Sequence, residues 1–267
     1  MKRAYAQIPE GQIHYRTEGE GEPLLLFHQA PLCGEEWERV IPLLSPHFRV
    51  IAPDMIGHGM SDDPAQECTM ADFTRTTLAF MDALGIQRAV LAGNHSGAAL
   101  AMSLGVNHPE RVKRVALSVE MLATPAQISA FLEKLKGKPL SRELPMDAAG
   151  QFITQAWERY AALGPTASLA TRFKAFVIGL TARQRPYDAH HAVLHWMSEA
   201  DHFASLRVPT LVFGAENDLF FKDEALAAAP QRLPGCRTVV IREAGAISPL
   251  EQPQALAEAL LAFAREH

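Results

Sequence analysis

The chain of 267 residues has three cysteines, and Cys33, Cys68 and Cys236 stand far apart. An odd number at such spacing supports neither a disulfide framework nor a metal knuckle. No stretch approaches the roughly 18 apolar residues of a membrane span. The segment AYAQIPEGQ after Met1-Lys2-Arg3 lacks the apolar core of a signal peptide. A cationic surplus is missing too: 25 Lys and Arg face 30 Asp and Glu, a net charge of -5, and basic residues such as Lys113 and Arg114 lie scattered among acids. That distribution argues against a nucleic-acid partner. There is no dinucleotide fingerprint. These absences predict a soluble, cytoplasmic protein with a small-molecule substrate, no nucleic-acid or membrane partner and no cofactor, present as a monomer or homodimer.

What the sequence does contain is alternation. RAYAQI and GQIHYRTEG flank Pro9-Glu10-Gly11 and read as an opening hairpin. PLLLFH (23–28), FRVIAPD (48–54), RAVLAG (88–93) and VKRVALSV (112–119) are short continuous apolar runs, as expected of strands covered on both faces. Between them, residues 69–84 and 96–108 carry apolar residues at helical spacing. Strands alternating with helices predict an α/β protein with a mostly parallel sheet. Residues 124–203 then read as helical without a convincing strand, and alternation resumes with PTLVFGAEND (209–218), a helix over 222–232, RTVVIREAG (237–245) and a closing helix. The economical division is a core in two parts, 1–123 and 204–267, interrupted by a helical cap over 124–203.

A parallel sheet presents its ligand site at the carboxyl ends of its strands. Several segments of unusual chemistry fall there: His28-Gln29-Ala30-Pro31, Asp54, Gly93-Asn94-His95-Ser96-Gly97, Glu120, Asp218 and Gly245-Ala246. These landmarks resemble, in order, those of the α/β-hydrolase fold family. HQAP followed by Trp37 stands where that family has its His-Gly-x-Pro loop. RVIAPDMIGHGMSDDP is close to its Asp-x-x-Gly-x-Gly-x-Ser segment. HPERVKRVALS follows the elbow helix, and Asp218 in VPTLVFGAENDLF stands at the place of the triad acid. The resemblance implies an eight-stranded, mostly parallel sheet flanked by helices, with a hydrolytic site beneath a cap.

Two departures change the expected chemistry. The family's Gly-x-Ser-x-Gly elbow, a sharp strand-to-helix turn that exposes the nucleophile, here frames His95, with Ser96 one place late. Counting back from His108-Pro109-Glu110-Arg111 leaves no gap, and shifting the register by one residue would swing the side chain about 100° around the helix. His95 is therefore read as the elbow residue. Gly245 is followed by Ala246 where the triad histidine belongs, so a serine on the elbow would have no general base. Since Gln29, His95 and Ala246 all deviate in separate motifs, a divergent subgroup explains them better than one inactivating substitution.

An imidazole reaches further than a hydroxyl, so His95 is expected to lean towards the volume left by Ala246 and bond Asp218 as a dyad. The backbone N–H groups of Ala30 and Ser96 are assigned to an oxyanion hole. His28, Gln29, Glu120, Trp196 and Ala246 are assigned to substrate binding. Asp54 reads as structural. His190, His191 and His195 have helical spacing but no evident third ligand, so no metal is expected. Such a base facing two amides suits hydrolysis of a reactive ester, a lactone or a C–C bond beside a carbonyl. Lyase-type chemistry (retro-aldol, decarboxylation or elimination) and a silent ligand-binding member of the fold remain open alternatives.

Overall fold

A computed structural model describes residues 1–136, 147–181, 189–219 and 223–265, without the side chains of residues 119 and 120. Eight strands form one sheet: β1 (Lys2–Ile8), β2 (Gly11–Glu18), β3 (Pro23–Phe27), β4 (Arg49–Pro53), β5 (Ala89–Gly93), β6 (Val112–Ser118), β7 (Thr210–Ala215) and β8 (Arg237–Ile241). Their order is β1-β2-β4-β3-β5-β6-β7-β8. The β1–β2 and β2–β4 pairs are antiparallel and all others parallel. The architecture is that of the α/β-hydrolase fold, as the resemblance implies, and the apolar runs form its strands.

Alternation along the central strands divides the interior in two. Leu25 and Phe27 of β3, Leu91 of β5 and Leu117 of β6 point into one core, while Leu24, Leu26, Val90, Ala92 and Ala116 point into the other. Continuous apolar runs are therefore needed, because both faces of the sheet are covered. The first core is closed by α2 (Met70–Ala83), α3 (Ser96–Asn107) and α8 (Asp223–Arg232). The second is closed by α1 (Ile41–Leu44) and α9 (Pro253–Ala264) through Ile41, Leu44, Leu256, Leu260 and Phe263. Helix α2 starts at a reciprocal cap in which Thr69 and Asp72 satisfy each other's backbone N–H. Helix α3 is buried on every side over its first ten residues, so its small side chains let it lie between the sheet and α2.

Between β6 and β7 the described chain runs through α4 (Pro125–Leu135), α5 (Gln151–Leu163), α6 (Leu169–Thr181) and α7 (Ala189–Glu199). Tyr160, Ala175, Phe176 and Ile178 of α5 and α6 pack with Leu32, Cys33, Ile247 and Leu250 of the core. Polar ties reinforce this contact. Lys174 pairs with Glu35 and with Glu38 (3.0 Å), and Arg39 donates to Thr171 Oγ1 (2.9 Å) and to the Leu250 carbonyl (2.8 Å). The insertion thus lies against loops at the strand ends. No described helix is long and apolar enough to cross a membrane.

The parallel registers align those ends. Phe27 lies opposite Gly93, Gly93 opposite Leu117, Ser118 opposite Phe213 and Ala215 opposite Ile241. The chain leaves the sheet at one level, so the residues that follow each strand converge. Where β5 turns into α3 the approach is closest: a Cβ on Gly97 would stand 2.2 Å from the Phe27 carbonyl oxygen. That neighbour is backbone of the central strand and cannot yield. Gly97→Ala is expected to destabilise the fold by about 3 kcal/mol or more, read as the loss in urea or thermal unfolding; an unchanged midpoint would contradict this packing.

Candidate active site

The turn after β5 places His95 at φ 47° and ψ -116°. A non-glycine residue there costs on the order of 1–3 kcal/mol, held in place by its surroundings. The restraint comes from both sides. A Cβ on Gly93 would lie 2.2 Å from the Gly97 carbonyl oxygen, so the turn closes on itself with no space between the two glycines. The His95 N–H also donates to Ser118 Oγ at the end of β6 (2.7 Å). His95 is thus the residue on the strained elbow, and Ser96 is the first residue of α3.

From this position the imidazole crosses to the end of β7, where Nε2 lies 2.9 Å from Asp218 Oδ2. Asp218 follows the strand by a tight turn, its N–H donating to the Ala215 carbonyl (2.9 Å) and that of Asn217 to the Ala244 carbonyl (2.8 Å). The Asp218 side chain is nearly buried, and the imidazole retains 12% exposure. With Nε2–H donated to the carboxylate, the neutral ring carries its proton on Nε2 and not on Nδ1. The Asp218 bond fixes that tautomer.

Beneath the dyad lies a cluster that sequence reasoning missed. Glu36, fully buried, accepts the Gln29 backbone N–H on Oε2 (2.8 Å) and the side-chain amides of Gln29 (2.9 Å) and Asn94 (2.7 Å) on Oε1. Both side-chain amides also donate to the Ala246 carbonyl at 2.9 Å. Loops after β3, β5 and β8 are thereby tied at one point. Burial raises the Glu36 carboxyl from 4.5 to about 7, opposed by its three N–H donors and by His95. An acid beside Trp37 in a short 3-10 turn carries no periodic signal, which is why Glu36 escaped notice. The only hints were a side chain at Gln29 in place of a glycine and an amide at Asn94.

The other expected site residues are distributed differently. His28 is fully buried. Its Nε2 accepts the Met55 N–H (3.0 Å) and its Nδ1–H donates to the Gln29 carbonyl (2.9 Å). Burial drives its pKa down to about 3, so it stays neutral, with both ring nitrogens engaged by the backbone of the loops. Gln29 has both amide hydrogens committed to Glu36 and Ala246, so its NH2 group serves the clasp rather than a ligand. The Ala30 N–H, expected to face a substrate oxygen, donates to Ser96 Oγ at 2.6 Å. Ala246 is buried, and its N–H donates to the Leu163 carbonyl at the end of α5 (2.7 Å). Trp196 stacks on His202 with ring centroids 3.7 Å apart. The Glu120 side chain lies outside the described residues. Asp54 accepts His14 Nδ1 (2.8 Å) and the Gly34 N–H (2.8 Å), a structural role. Among the described residues no group of three metal-type side chains converges.

Comparisons with known proteins agree with this architecture. A family model described as the alpha/beta hydrolase fold matches residues 22–253. A 2-hydroxymuconate semialdehyde hydrolase of Pseudomonas putida is 29% identical over 263 residues, 94% of this chain and 92% of that protein. A haloalkane dehalogenase of Mesorhizobium japonicum is 36% identical over 153 residues, so that 57% of this chain matches about half (49%) of that protein. Among solved structures, the enol-lactonase from Burkholderia xenovorans superposes with a TM-score of 0.72 at 24% identity, covering 98% of this chain and 100% of that one, a likeness of fold.

The Glu36 clasp has a measurable pH signature. Its raised carboxyl lets the folded chain hold a proton that the unfolded chain releases between 4.5 and about 7. Stability from this group is complete below 4.5 and is lost as pH rises through about 7. Glu36→Gln turns an NH2 group towards one of the buried N–H donors and is expected to cost about 1–3 kcal/mol. The gap between wild type and variant should narrow from acid to mildly alkaline pH in chemical unfolding. A gap that is constant across that range would contradict the titration.

Proposed function

The chain belongs to the alpha/beta hydrolase fold family, and from that premise we propose that it is a hydrolase acting on a small carbonyl compound, a reactive ester, a lactone or a C–C bond beside a carbonyl, with His95 and Asp218 as its catalytic dyad. The observation that supports this reading is the 2.9 Å bond between His95 Nε2 and Asp218 Oδ2, made by the one side chain held on the strained elbow. His95 Nδ1 draws a proton from water as the water oxygen adds to the substrate carbonyl carbon. The electron pair of the C=O bond moves onto its oxygen. Asp218 remains a carboxylate and stabilises the imidazolium, which then returns the proton to the departing group. No serine nucleophile is required, so the loss of the histidine at position 246 does not disable the site.

The helical insertion is assigned as a cap over this site. Its Tyr160, Phe176 and Ile178, packed on Leu32 and Ile247, would favour a compact, largely apolar substrate. Ala246 and Leu163, joined through their backbones, would form the seam between cap and core on the same side.

Short chromogenic esters and small lactones are the substrates to try first. His95→Ala is expected to lower kcat by about 10²–10⁴-fold, the range of a general base, and Asp218→Asn to lower it without unfolding the chain. In ¹⁸O-labelled water the product acid should gain one labelled oxygen. Cleavage without label would instead indicate lyase chemistry, and turnover that survives His95→Ala would overturn the dyad. A wild-type protein that binds such compounds without turning them over would be a silent member of the fold.

A further inference from the structure

The Ser96 amide is assigned above to an oxyanion hole, and its side chain is placed as pointedly as its backbone. Its Oγ accepts the Ala30 N–H at 2.6 Å, across 66 residues of sequence, and the residue is buried. Ala30 therefore cannot present that N–H directly to a ligand while Ser96 stands there. A hydroxyl has two acceptor lone pairs and one hydrogen. The Ala30 bond uses a lone pair, and among the described residues the Ser96 O–H meets no acceptor. The Ser96 amide, at the first turn of α3, also lacks an intrahelical acceptor, as every helix start does.

We propose that the Ser96 hydroxyl, polarised by the Ala30 N–H, is the second oxyanion donor of this enzyme, acting beside the Ser96 amide. It replaces the direct Ala30 amide contact. The proposal rests on the hydrolytic reading above. As water adds to the carbonyl carbon and gives its proton to His95, the carbonyl oxygen becomes anionic. The Ser96 O–H and N–H donate to that oxygen. The Ala30 N–H acts through Oγ as a positioning group, since a hydroxyl that accepts a hydrogen bond donates a stronger one. Ser96 forms no covalent bond, and its proton stays on Oγ throughout. The ligand class follows: the group seated here is an sp² carbonyl that becomes tetrahedral.

This arrangement and a direct amide hole predict opposite results. Ser96→Ala removes the hydroxyl and uncovers the Ala30 N–H. If the hydroxyl is the donor, kcat on a chromogenic ester falls by about 10²-fold, the typical effect of one oxyanion donor, with KM nearly unchanged. Ser96→Thr, which keeps a hydroxyl, should restore kcat to within about tenfold, and the acid limb of the pH–rate profile set by His95 should stay in place. Thermal unfolding confirms that each variant is folded. Ser96→Ala with wild-type or higher kcat would overturn the proposal and return the role to Ala30. Accumulation of an acyl group on Ser96, seen by mass spectrometry of quenched enzyme, would overturn it by making Ser96 the nucleophile. Failure of the dyad is distinguishable, because it would show as activity surviving in His95→Ala whatever the Ser96 variants do.

Discussion

The closeness of β5 to the start of α3 is the constraint on which the site depends. Neither Gly93 nor Gly97 has room for a single carbon, and their nearest obstacles are backbone atoms. The one residue between them able to project forward, His95, must accept a left-handed φ to do so. The fold supplies the strain and the sequence decides which side chain bears it. With serine there, the reach is short and a separate histidine is needed. With an imidazole there, the elbow side chain itself spans the gap to the end of β7 and meets Asp218.

The reorganisation around that change is coherent. The Ala246 carbonyl receives amides from Gln29 and Asn94, and Glu36 collects the same amides from the other side. Two of the positions that deviate from the family pattern, Gln29 and Ala246, are therefore partners in one buried cluster. Burial in a dry interior makes such a cluster costly if any member is unpaired and rigid when all are paired. Its place directly before His95 in the chain links the rigidity of three loops to the position of the imidazole. In the proposed chemistry this fixes the base without a bond to substrate.

Much of this was legible from residue patterns. The four apolar runs before residue 120 became strands within a residue or two of their expected limits, because strands covered on both faces cannot tolerate polar interruptions. The two later strands end three and four residues sooner than expected. The elbow was legible for a similar reason: two glycines at that spacing answer a steric demand that is local. The partners of His28 were not legible, since an imidazole at a strand end looks alike whether it faces a cavity or a buried amide. The bond from the Ala30 amide was not legible either, because its partner is a side chain far along the chain. Glu36 was illegible, for an isolated acid in a short turn has no period and no neighbouring partner.

The sequence by itself determined the order of strands and helices, the split of side chains between two cores, and the convergence of particular loops at one edge of the sheet. Each follows from short-range periodicity or local steric limits. Only the tertiary structure decided which polar groups meet there. The bond from His95 to Asp218 joins residues 123 apart, and that from Gln29 to Ala246 joins residues 217 apart. Hydrogen bonds need placement within a few tenths of an ångström, and that placement is a property of the assembled sheet, not of any segment within it.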